Sequence, residues 1–386
     1  MIARDIQTEL GQLLKEYPVV TILGPRQAGK TTLARTLTDY EYCNLEIPEN
    51  REFATEDPKA FLKQFKNKIV IDEIQRVPKL LSYIQGKVDE DKINGQFVLT
   101  GSHQLELKEA VSQSLTGRTS ILNLLPLSIN ELSQANIVFE NFEKYALHGF
   151  LPRIYDQKQR PTPAYSNYYQ TYVERDVRQL INLKNFSLFE KFMKLLAGRT
   201  GQIVDYNSLG GDVGVDSKTI KNWLSILEAS FIVYKLIPFF ENFGKRVVKS
   251  PKYYFVDVGL LCFLLGIENY QQVSRDPLMG NIFENLVVIE CVKSRLNQGK
   301  LPNLYFHRDS NGNEIDVIFQ RGRELVAIEI KAAATFNRSL IENLEKFKKV
   351  NSRNIASYLI YNGDEKIMSG RIELLNFKNV RKIFSI

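Results

Sequence analysis

The sequence predicts an α/β fold: a parallel sheet carrying a phosphate-binding loop, then a helical stretch, then a second, smaller α/β unit. Three observations predict it. The run Gly24-Pro25-Arg26-Gln27-Ala28-Gly29-Lys30-Thr31 fits G-x-x-x-x-G-K-[ST] at every required position. The β-branched run Lys68-Ile69-Val70-Ile71 ends on the carboxylates Asp72-Glu73, as a buried parallel strand with an acidic exit would. Near the other end, a helical pattern over Gly280 to Leu296 is followed by a hairpin and a strand that carry further acids and a lysine.

Taken in order, Val19-Val20-Thr21-Ile22-Leu23 reads as a short buried strand and Thr32-Leu33-Ala34-Arg35-Thr36-Leu37 as the start of a helix. The glycines therefore fall at a strand-to-helix turn, where backbone N–H groups and the positive helix end face an anion. Gly24 through Thr32 form the expected nucleotide-binding segment. Gly29 lets the backbone approach the phosphates, Lys30 supplies a point charge to the β and γ phosphates, and Thr31 offers its hydroxyl to Mg2+. Asp72 is expected to hold the same Mg2+ through its water shell, and Glu73 to orient or deprotonate the attacking water. A third strand, Gln96 to Thr100, leads into Gly101-Ser102-His103, where Ser102 is the expected sensor of the γ-phosphate or attacking water. Arg118, in Leu115-Thr116-Gly117-Arg118-Thr119, is the expected cation acting in trans on the transition state.

In the middle of the chain, Tyr165 to Leu180 and Leu188 to Ala197 have helical apolar spacing. Asp216 stands as an N-cap before Ser217-Lys218-Thr219-Ile220-Lys221-Asn222-Trp223-Leu224, after a glycine-containing turn, which suits a helix-turn-helix. The segment Phe231 to Phe240 with the basic turn Asn242 to Arg246 suits the hairpin wing of a winged helix. On that reading Lys218, Lys221 and Asn222 face a DNA major groove, while Lys245, Arg246 and Lys249 touch phosphates.

In the C-terminal part, Glu284 shares a helix face with Val287, Val288 and Cys291, where a carboxylate needs a partner. Strands Leu304 to Asp309 and Glu314 to Gln320 form the hairpin, joined by Ser310-Asn311-Gly312-Asn313. A period of two in Leu325 to Lys331 sets Glu329 and Lys331 opposite Val326, Ile328 and Ile330. Such a set of carboxylates suits Mg2+ or Mn2+, with a lysine beside it to orient a hydroxide or stabilise a phosphate.

The chain of 386 residues is long enough for several cores. Its expected divisions are 1–135 for the ATPase unit, 136–200 for a helical linker, 201–275 for the winged-helix region and 276–386 for the C-terminal unit. The net charge of +7 is uneven: −3 over residues 1–150, +6 over 151–275 and +4 over 276–386. A basic C-terminal half is what a polyanion surface requires. The longest apolar run, Gly259 to Ile267, is too short for a membrane span, and the three scattered cysteines, Cys43, Cys262 and Cys291, read as reduced thiols. These features set the expectation of a cytoplasmic protein without a membrane partner.

Together with Ile71-Asp72-Glu73-Ile74-Gln75, Leu99-Thr100-Gly101-Ser102, Gly117-Arg118 and Leu125-Pro126-Leu127-Ser128, the phosphate loop resembles the archaeal and bacterial AAA-type ATPases whose C-terminal half is a domain of unknown function. The resemblance extends over essentially the whole chain. It implies an AAA+ core that binds ATP and Mg2+, hydrolyses ATP to ADP, and forms ring-like homo-oligomers such as hexamers. Glu284, then Glu314-Ile315-Asp316, then Glu329-Ile330-Lys331 are similar to the PD-(D/E)xK nuclease superfamily. By that match Asp316 and Glu329 are metal ligands, Glu284 a further ligand or water holder, and Lys331 catalytic, although Ile315 stands where the superfamily has Pro. Two functions follow as expectations. One is a DNA-binding AAA+ ATPase coupled to a nuclease-like domain. The other is an NTPase signalling switch whose C-terminal domain is catalytically silent and binds a protein.

Overall fold

The computed structural model describes residues 1–66, 68–101, 114–177, 186–239, 250–351, 354–364, 368–369 and 372–385. Five strands form the first sheet: β1 (Val19–Leu23), β2 (Glu41–Asn44), β3 (Ile69–Asp72), β4 (Phe97–Gly101) and β5 (Thr119–Asn123). They lie in the order β2-β3-β4-β1-β5, all parallel. Every residue of β1, β3 and β4 is buried, as helices on both faces of a parallel sheet require. Val20, Ile22, Val70 and Val98 pack on one side with Ile6, Leu10 and Leu33; Val19, Leu23, Ile69, Ile71 and Leu99 pack on the other with Leu80 and Ile84. Strand β4 stands between β1 and β3, so the loop after Leu23 and the acids after Ile71 open at the same sheet end.

The helix expected over Tyr165 to Leu180 runs from Pro161 to Tyr168 and continues as a π-helix, Tyr169–Val177; residues 178–180 lie outside the described part. Helices Tyr206–Val213 and Ser217–Ala229 meet at Gly214, whose φ of 98° is open to glycine. Asp216 caps the second helix by accepting from the Thr219 N–H at 2.7 Å. An antiparallel pair follows, β6 (Val233–Pro238) with β7 (Lys252–Phe255). The expected wing residues Lys245, Arg246 and Lys249 lie outside the described residues.

The remaining strands are β8 (Tyr305–Arg308), β9 (Glu314–Arg321), β10 (Glu324–Lys331), β11 (Ile355–Tyr361), β12 (Met368–Ser369) and β13 (Ile372–Asn376). With β6 and β7 they form one mixed sheet in the order β12-β13-β11-β10-β9-β8-β6-β7. Pairing of Ile237 and Pro238 with Tyr305 and Phe306 carries this sheet across the expected division at 275/276. Covering the β8 edge explains the join, because a bare strand edge leaves backbone groups unpaired. The long helix Met279–Leu296 packs along this sheet and contributes Ile282, Phe283, Leu286 and Val287 to the main core.

Candidate nucleotide site and C-terminal charge cluster

Gly24 must be glycine because a Cβ there would stand 2.0 Å from the Leu124 carbonyl oxygen at the exit of β5. Gln27 and Gly29 take positive φ, which bends the loop back on itself, and Lys30 opens the helix Lys30–Ala34. The Lys30 ammonium is buried and donates to the carbonyls of Gly24 at 3.0 Å and Pro25 at 2.9 Å. Burial lowers its pKa to about 8, against the opposing pull of Glu73 and Asp72.

Three hydroxyls converge on buried Asp72. Thr31 donates to Oδ2 at 2.8 Å, Tyr42 donates to the same oxygen at 2.5 Å, and Thr100 donates to Oδ1. The Arg35 guanidinium lies 4.3 Å from the Tyr42 ring centroid. Glu73 sits in the left-handed region, φ 60° and ψ 44°, an arrangement that carries strain for a residue with a side chain. Its N–H donates to Thr100 Oγ1 at 3.2 Å, and its carboxylate accepts from Gln75. Expected sensor Ser102 lies outside the described residues; its neighbour Thr100 is the group tied to both acids.

A cavity of about 450 Å³ opens in front of these groups. Its walls are Arg26, Lys30, Thr31 and Glu73 on one side and Pro152, Arg153 and Tyr172 on the other. Sequence reasoning missed the second wall, which comes from the segment expected to be a linker. Arg118 is not brought to this cavity of its own chain. It precedes β5 at the opposite end of the sheet and grips Asp89 through Nε at 2.6 Å and Nη2 at 2.9 Å.

The second constellation lies on the C-terminal sheet. Lys331 pairs with Glu329 at 2.6 Å and stands 3.9 Å from Asp316, whose Oδ2 accepts from the Ile330 N–H at 2.7 Å. Glu284 accepts from the Tyr254 hydroxyl at 2.6 Å and from Lys252 at 3.1 Å. The same buried Lys252 pairs with Glu314. Burial raises Glu284 to about 7 and Glu329 to about 8, with Asp316 adding like-charge repulsion to both. Burial works against the charge of Lys252, yet Glu284, Asp316 and Glu314 together outweigh it and hold its pKa above the usual lysine value.

Lys252 thus answers the question of what partners Glu284, and it came from β7, outside the segment where the sequence placed the cluster. Its signal was a lysine opening the otherwise apolar run Lys252-Tyr253-Tyr254-Phe255. The expected Mg2+ or Mn2+ ligands Glu284, Asp316 and Glu329 do not fit a metal ion as they stand. Among the described residues no group of three His, Cys, Asp or Glu side chains is placed to hold one, Glu284 is paired with the Lys252 ammonium, and Glu329 with that of Lys331.

A family model described as an AAA domain matches residues 16–133, and two domains of unknown function match residues 139–271 and 279–380. An uncharacterized protein of Mycobacterium tuberculosis is 31% identical over 338 residues, covering 86% of this chain and 74% of its own. One from Haemophilus influenzae is 24% identical over 395 residues, covering 91% and 92%. Among solved structures, the Walker-type ATPase PABY2304 of Pyrococcus abyssi aligns with a TM-score of 0.44 at 14% identity, covering 68% of this chain and 96% of that one. Among the described residues, no helix is long and apolar enough to cross a membrane.

Proposed function

The chain belongs to the same family as its mycobacterial relative and carries an AAA-family ATPase domain; from that premise we propose that it hydrolyses ATP at the Lys30–Glu73 site and couples this to DNA. One arrangement carries the reading. A buried ammonium hydrogen-bonded to two backbone carbonyls faces a cavity beside Asp72 and Glu73, so phosphate oxygens can replace those carbonyls.

Thr31 and Asp72, joined at 2.8 Å, offer the hard oxygen donors that suit Mg2+, which would offset charge on the β and γ phosphates. Loop N–H groups from Gly24 to Thr32 bind and orient the phosphates. Glu73 takes the proton of the attacking water while Gln75 fixes its carboxylate and Thr100 fixes its backbone. The arrangement of helix Tyr206–Val213, helix Ser217–Ala229 and the β6–β7 pair supports the winged-helix reading, with Lys218, Lys221 and Asn222 exposed on the second helix for a major groove. A homo-oligomeric ring belongs to the same proposal, with Arg118 facing a neighbouring copy.

For the C-terminal unit, one observation favours the silent, partner-binding alternative over a nuclease: the acids are already paired with ammonium groups, Glu284 and Glu314 with Lys252, and Glu329 with Lys331. The test of the ATPase reading is Glu73→Gln. Retained ATP binding with lost phosphate release supports it, and a wild-type rate would remove Glu73 from the mechanism. DNA binding is tested by its salt dependence with and without ATP. Absence of binding at low salt would leave the signalling switch.

A further inference from the structure

A phosphate-binding loop turns its N–H groups toward the ligand, so its carbonyls face the protein and need donors behind them. Behind Ala28 that donor is Arg4. Its Nη1 donates to the Ala28 carbonyl at 2.6 Å, its Nη2 to the Leu125 carbonyl at 2.6 Å, and its Nε to Glu131 Oε1 at 3.0 Å. Only a planar fork spans three acceptors in this way; a lysine ammonium cannot.

The path continues inside the protein. Fully buried Glu131 also accepts from the N–H groups of Asp5 and Ser128, each at 2.8 Å, and closes the capping box of helix Ile129–Gln134. The next N–H, that of Ile129, donates to Glu290 Oε2 at 2.9 Å. Glu290 Oε1 accepts from Lys293 at 2.9 Å, and Lys293 in turn donates to the Leu127 carbonyl at 2.7 Å. Glu290 and Lys293 lie on helix Met279–Leu296, which also carries Glu284 of the charge cluster. Glu131, Ser128, Glu290 and Lys293 are buried and Arg4 is half-buried with each guanidinium nitrogen hydrogen-bonded, so a shift at one end strands a buried polar group unless the other end follows.

We propose that Arg4 is a positioning residue for the phosphate-binding loop and joins it to helix Met279–Leu296, so that a nucleotide on the loop is felt along that helix. The proposal rests on the nucleotide-binding reading of the loop. Coupling of this kind is reciprocal: what a nucleotide does to the helix, the helix does to nucleotide affinity.

The test uses the full chain, fluorescent N-methylanthraniloyl-ADP to measure binding, and amide hydrogen exchange with and without saturating ADP. In the wild type, ADP slows exchange at residues 286–296 by about fivefold or more. Arg4→Lys binds the probe about tenfold more weakly and, once saturated with ADP, shows no such slowing. Two results overturn the proposal: a wild type that binds ADP with exchange at 286–296 unchanged, or Arg4→Lys that binds and protects like the wild type. If Arg4→Lys does not fold, the wild-type exchange result decides alone. A wild type that binds no ADP refutes the nucleotide reading first, and this proposal with it.

Discussion

Lys30 and Lys252 are both buried ammonium groups beside carboxylates, yet their partners differ in kind. Lys30 is bonded to two backbone carbonyls and looks into a cavity of about 450 Å³. Lys252 is bonded to the carboxylates of Glu284 and Glu314. The consequence is visible in their proton affinities: burial lowers Lys30 to about 8, whereas the acids around Lys252 raise it. A cation whose hydrogen bonds go to carbonyl dipoles gains from an arriving anion, and a cation already bonded to carboxylates does not. Charge clusters that look alike in sequence therefore separate into a site open to a ligand and a cluster closed on itself.

The largest effect expected from this contrast is on Lys30. Lys30→Ala removes the buried ammonium that gains from a phosphate, and ATP turnover should fall by roughly 10²–10³-fold. Phosphate release measured against nucleotide concentration checks it. A variant with near wild-type kcat/KM would put Lys30 in the same closed class as Lys252.

Next in size is the opposite change. Lys252→Met takes the shared cation from the half-buried Glu284 and Glu314, leaving Glu314 with Arg308 and Glu284 with the Tyr254 hydroxyl, and should cost about 3 kcal/mol of stability, read from denaturant unfolding. Where the variant folds, it should take up Mn2+ in a calorimetric titration at the emptied position, while the wild type, free of nucleotide, takes up none there. Wild-type uptake that Asp316→Ala abolishes would break the comparison and restore the metal-dependent nuclease reading.

Proton linkage sharpens the contrast further. Free Lys30 loses its proton near pH 8, and a bound phosphate favours the protonated form. Binding above that pH must therefore take up a proton. ADP affinity should be flat below about pH 8 and fall about tenfold per unit above it, which is about 1.4 kcal/mol per unit. Titrations at several pH values check this, and a flat profile to pH 10 would show that Lys30 stays charged in the free chain.

Much of this was legible in the sequence because the parts are local. The loop from Gly24 to Thr32 and the pair Asp72-Glu73 each sit at the end of a buried strand whose β-branched run is unmistakable. Residues that complete the sites are distant in the chain, and nothing local marks their pairing. Arg4 reaches Ala28 and Glu131, Tyr42 reaches Asp72, and Lys252 reaches Glu314, each across a fold the sequence does not spell out. Asp216 was legible as a cap for the same local reason that the loop was. The wall formed by Pro152, Arg153 and Tyr172 was not, since its residues are exposed or apolar and follow no motif.

The smallest expected effect separates two arginines. Arg153 lines the cavity of its own chain, whereas Arg118 lies at the far end of the sheet and is held by Asp89. Of these two arginines Arg153 alone lines the cavity, so Arg153→Ala should lower turnover several-fold at any protein concentration, on the order of one charge-assisted hydrogen bond. Arg118→Ala should leave turnover unchanged in dilute protein. An effect of Arg118→Ala that appears only as concentration rises, and that mixing with Lys30→Ala subunits repairs, would place Arg118 at a neighbour's phosphates and make assembly part of the reaction. Absence of such repair in verified mixed oligomers would leave Arg118 as the surface partner of Asp89.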